Sequence, residues 1–86
     1  MPQLSRFYGI IIYLYFKDHH PPHFHAWYSE NKCEISIPDL KIIAGSLPRR
    51  AQALVLEWAA LHKEELLDNW ALAKEGKPFN TIEPLP

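Results

Sequence analysis

From Phe7 to Phe16 the chain is apolar almost without interruption, reading Phe-Tyr-Gly-Ile-Ile-Ile-Tyr-Leu-Tyr-Phe. β-Branched and aromatic residues dominate, which predicts a central strand buried on both faces and closed by Lys17 and Asp18. Pro21 and Pro22 lack a backbone donor and hold the chain extended, so a stiff turn follows. His23 to Ser29 reads as a second strand, with a tight turn at Asn31. Cys33-Glu34-Ile35-Ser36-Ile37 alternates with period two, predicting a third strand with Cys33, Ile35 and Ile37 toward the core. Pro38-Asp39 signals a turn, and Leu40 to Ile43 makes a short fourth strand. Connections this short imply an antiparallel meander.

The period changes after Ala44-Gly45-Ser46-Leu47-Pro48. Ser46 suits a helix cap and Pro48 the first turn. Ala51, Leu54, Val55, Trp58, Leu61 and His62 recur at helical spacing. Leu66, Leu67, Trp70 and Ala73 continue it after a phase drift at His62-Lys63, which predicts two helices or one kinked helix. Gly76 and then Pro78 stop the helix. Phe79 to Pro86 is expected to be extended, with Ile82 and Leu85 docked on the body. The expected architecture is α+β, one domain over residues 1–86. An antiparallel sheet of three or four strands, about 5–44, precedes the helical part, about 47–75, which packs on one face; a tail spans 77–86.

Composition narrows this picture. A chain of 86 residues permits a thin core, burying only ~60% of the surface of its unfolded form. An apolar share of 48% and a charged share of 22% exclude disorder for the body. The net charge of −1 removes the global basic surplus expected of a nucleic-acid binder and leaves only a local patch to serve. A single cysteine, Cys33, allows no internal disulfide. The Gly9–Phe16 run is too short for a secretory signal and no stretch is long enough to span a membrane, so a cytoplasmic protein is expected.

The chemistry concentrates in Asp18-His19-His20-Pro21-Pro22-His23-Phe24-His25. Residues two apart on a strand share a face, so His23, His25 and Trp27 point one way and Phe24, Ala26 and Tyr28 the other. The second set is the better core set, which turns the histidines away from the helices. Tyr13 and Tyr15 from the first strand and Glu34 from the third are expected on the same open face. One reading is metal binding: His23 and His25 present imidazoles to one divalent ion such as zinc, with His19, His20 or Asp18 as a third ligand from the turn. Another is metal-free acid–base chemistry, including RNA cleavage, by His23 and His25 with Asp18, and with Arg6, Lys17, Arg49 or Arg50 stabilising phosphate charge. Tyr8, Tyr13, Tyr15 and Trp27 could then stack on bases, with Arg50 as an anion contact. The plain alternative is structural, since histidines beside a Pro-Pro turn often only bond backbone groups. His62 reads as a capping or core-edge residue, Cys33 as core, and Trp58 and Trp70 as core by their spacing. Arg49 and Arg50 oppose the helix dipole, which favours an anion or an acidic partner there.

The segment Pro2-x-Leu4-Ser5-Arg6-Phe7-Tyr8-Gly9-Ile10, the block Asp18-His19-x-Pro21-Pro22-His23-Phe24-His25-Ala26, and Gly45-Ser46-Leu47-Pro48-x-Arg50 with Glu57-Trp58 and Asn69-Trp70 resemble the bacterial family called domain of unknown function 4160. The likeness runs over nearly the whole chain, and the Pro-Pro-His-Phe-His-Ala block is its most specific part. His20 departs from the pattern, which often has Pro or another residue there. The resemblance implies a small stand-alone protein whose gene neighbours one for domain of unknown function 2442. That pairing is similar to a type II toxin–antitoxin operon. A toxin role is the expectation, with a small antitoxin-like partner and RNA as target. The resemblance carries over no established catalytic assignment. It leaves His23, His25, Asp18, Arg6 and Tyr8 as candidates.

Overall fold

A computed structural model describes residues 3–14 and 21–86. Five strands form one antiparallel sheet in chain order: β1 (Gln3–Phe7), β2 (Ile10–Tyr13), β3 (His23–Tyr28), β4 (Asn31–Ser36) and β5 (Ile42–Gly45). Helices α1 (Arg49–Leu61) and α2 (Lys63–Lys74) follow. The α+β meander with C-terminal helices is as expected, with one strand more.

The extra strand comes from the long apolar run, which is not one strand but parts of two. Tyr8 and Gly9 both take positive φ, 49° and 79°, and close a two-residue hairpin in which Phe7 pairs with Ile10. Positive φ at both central residues matches the right-handed twist of the flanking strands. Nor is β2 buried on both faces: Ile10 and Ile12 are buried while Ile11 and Tyr13 are half-buried. Ser29 and Glu30 make a second two-residue turn, with Asn31 already paired to Tyr28. The last strand starts at Ile42, two residues later than expected, because Leu40 sits in the connecting turn at φ 54°.

α1 lays Ala51, Val55, Trp58 and Ala59 on the sheet. Trp58 is fully buried against Phe7 and Phe24, with ring centroids 5.4 and 5.8 Å away. α1 begins at Arg49, with Pro48 at the cap position and no side-chain cap, so Ser46 does not take that role. The break falls at His62, whose Nδ1 donates to Glu65 Oε1 at 2.6 Å while its ring rests 5.6 Å from Trp58. This turn in phase leaves Leu61 and Leu67 exposed, although the spacing had placed them with the apolar set. α2 ends in a Schellman motif: Lys77 N–H donates to Leu72 O, Gly76 N–H to Ala73 O, and Gly76 takes φ 73°.

The tail docks as expected. Ile82 and Leu85 are buried, and Ile82 N–H donates to Leu4 O at 2.8 Å, beside the outer edge of β1. Trp58 Nε1–H reaches Glu83 O, and the buried Asn69 amide clamps the Asn80 backbone through two hydrogen bonds of 2.8 and 2.9 Å. No helix is long and apolar enough to cross a membrane among the described residues.

Candidate metal centre

The register of β2, β3 and β4 assembles the site. Tyr13, His25 and Glu34 lie in one cross-strand row, with Ala44 of β5 beyond Glu34. Ile11, Trp27 and Lys32 form the next row on the same face, and His23 stands opposite Ser36 in the row before. Cross-strand neighbours bring Cβ atoms within about 5.5 Å, close enough for side chains to meet over one point. His23, His25 and Glu34 do so: each offers a ligand atom, and these atoms all lie within 4.8 Å of one another.

His23 is the most constrained of the three. Its Nδ1 lies 3.0 Å from Pro21 O. A carbonyl can only accept, so Nδ1 carries the hydrogen and the lone pair of the neutral ring belongs to Nε2. That Nε2 faces Glu34 Oε1 at 3.6 Å. A lone pair and a carboxylate repel across this gap unless a cation, a proton or a metal ion, stands between them. Two ligands each ~2.05 Å from a tetrahedral zinc stand about 3.3 Å apart, near the observed separation. A backbone carbonyl fixing the second ring nitrogen is also the usual support for a metal-bound histidine. Pro21 and Pro22 supply these acceptors without competing donors; Pro22 O takes Ile37 N–H at 2.8 Å and extends the ladder.

The site is enclosed on one side and open on the other. His23 is 6% exposed and His25 9%, and their rings meet edge to face at 5.3 Å. The Trp70 ring of α2 lies tilted against His23, 5.4 Å between centroids, so His23 is not wholly turned away from the helices. Ser36, across from His23, has a buried hydroxyl with no hydrogen-bond partner among the described residues. The other side is a cleft of about 320 Å³ lined by His25, Trp27, Lys32, Glu34 and the small residues Ala44 and Gly45. Cys33 also borders it, but burial, with the Glu34 charge adding, pushes the thiol up to about 11. It stays protonated at neutral pH and is a poor metal ligand.

Of the expected site residues, His23, His25, Tyr13 and Trp27 come together, with Tyr13 and Trp27 in edge contact at 5.1 Å. Arg6 is on the same face but beyond Ile11, two strands from Trp27. Tyr8 and Arg50 stand apart from the histidines, lining a separate cleft with Ile10, Tyr28 and Leu54. Tyr15, Asp18, His19 and His20 lie outside the described residues. Glu34 was legible as a member of the face but not as a candidate ligand. Alternation groups Ser36 with Lys32 and Glu34 as the polar set of that strand but does not set it opposite His23, which the register does; nothing local to Trp70 points to it.

The sequence model of a family described as domain of unknown function (DUF4160) matches residues 9–71, well over half of the chain. No curated protein and no solved structure gives a significant match.

Proposed function

The chain belongs to the domain of unknown function 4160 family, and we propose that it works as a divalent-metal-binding module whose ion is held by His23, His25 and Glu34. The observation that carries this reading is the convergence of three ligand atoms within 4.8 Å, with His23 Nε2 set toward Glu34 by the Pro21 carbonyl. Two imidazoles and one carboxylate suit zinc and its late first-row neighbours. Isothermal titration with zinc and nickel is the test. Wild type should bind one equivalent, Glu34→Gln more weakly, and the His23→Ala/His25→Ala double variant not at all. Heat no greater than that of the double variant would remove the proposal.

A second reading takes up the neighbours of this centre. Tyr13 and Trp27 are half-buried on its face and Lys32 holds its ammonium 4.4 Å from the Trp27 ring centroid. Aromatic and cationic groups beside an imidazole pair favour contact with a nucleotide. Together with the family's proposed gene pairing, this supports a cytoplasmic toxin component acting on RNA and neutralised by a small partner protein. Induced expression of wild type should arrest growth, and His23→Ala and His25→Ala should relieve the arrest. Equal growth of all three strains would sink the catalytic form of this reading, and failure to co-purify with the neighbouring gene product would sink the partner.

A further inference from the structure

Among the described residues three ligand groups converge, and three protein ligands would leave a tetrahedral ion one open position. The side on which it opens depends on what covers each ligand. His23 is closed in by Trp70 and by the Pro21 carbonyl on its Nδ1. His25 and Glu34 line the cleft and His23 does not. An ion held by all three would therefore turn its vacant side toward the cleft.

The cleft is electrostatically lopsided once an ion is present. Glu34 is consumed as a ligand, and among the other described residues lining the cleft the one permanent charge is the Lys32 ammonium. Lys32 pairs with Trp27 two residues along from the His25–Glu34 pair, roughly 7 Å down the strands. The Trp27 indole holds that ammonium at 4.4 Å, which limits the freedom a long side chain otherwise loses on binding. Ala44 and Gly45 on β5 are too small to fill the space in front.

We propose that the open position takes an exogenous anionic oxygen donor, a carboxylate or a phosphate ester, whose second contact is the Lys32 ammonium. This rests on the metal reading above. The anion would supply the fourth ligand through one oxygen and offer its second oxygen to the Lys32 ammonium, which acts as a point cation does beside bound phosphate.

The test uses the full chain loaded with cobalt(II) in a non-coordinating buffer, titrated separately with sodium acetate and sodium dimethyl phosphate. Visible cobalt absorption reports the coordination sphere directly. The expected result is a saturable spectral change, tighter with whichever donor the cleft favours. Lys32→Gln, an exposed substitution, should weaken anion binding by about tenfold without weakening cobalt binding. An unchanged spectrum with both anions on cobalt-loaded protein overturns this proposal alone, as does equal anion affinity in Lys32→Gln. Failure to bind cobalt overturns both the metal reading and this one.

Discussion

Gly45 sits where the cleft wall meets the end of β5, and replacing it with alanine should destabilise the protein more than glycine chemistry alone explains. Its φ is 73°, a conformation that L side chains adopt at a penalty of about 1–2 kcal/mol. A Cβ built there would also run into the Lys32 carbonyl oxygen and stand 3.0 Å from Cys33 Cα. Neither obstacle is a flexible side chain. The Lys32 carbonyl accepts Ser46 N–H at 3.1 Å, and Gly45 itself pairs with Cys33. Relief requires β5 to pull off β4, forfeiting that hydrogen bond, ~0.5–1.5 kcal/mol. The total is about 1.5–3.5 kcal/mol. Gly76 supplies the control: its φ is also 73°, but nothing lies within 4 Å of a Cβ there. Gly76→Ala should therefore show only the conformational part, about 1–2 kcal/mol. Urea unfolding followed by tryptophan fluorescence reads both, with slopes unchanged between variants. Equal losses in the two variants would refute the steric argument.

Asn69→Ala should loosen the tail, because it removes both hydrogen bonds to the Asn80 backbone, a loss of about 1–2 kcal/mol. Faster amide exchange at Asn80 and Ile82 is the signature; unchanged protection would mean that the burial of Ile82 and Leu85 holds the tail alone. Cys33 should resist alkylation in the folded chain at pH 8 and react on unfolding. Its thiol is raised from 9.0 to about 11, so the native state keeps a proton that the unfolded state releases between those values. Stability from this group is thus complete below pH 9.0 and declines as pH rises toward about 11. Cys33→Ala should flatten that decline relative to wild type in parallel urea titrations, whatever it does to stability at neutral pH.

Short-range signals carried much of the fold. Alternation in Cys33–Ile37 put Cys33, Ile35 and Ile37 into the core, because side chains on a strand alternate by geometry and only one face meets α1. The same parity separated His23, His25 and Trp27 from Phe24 and Ala26. The phase drift at His62 and the Gly76 stop located the helix break and its end, since both are set by local backbone preference. The hairpin at Tyr8–Gly9 was hidden inside an apolar run, where hydrophobicity outweighed the one glycine that marked it.

The sequence by itself therefore determined which residues share a face and where the chain changes period. Only the tertiary structure decided which faces meet. Glu34 reaches His23 because the two-residue turn at Ser29–Glu30 fixes the register of β3 against β4, and register is a property of paired strands rather than of either one. Trp70, 47 positions beyond His23 in the numbering, arrives because the break at His62 redirects α2. The histidine pair gains a carboxylate within reach of both imidazoles through contacts that no local pattern encodes.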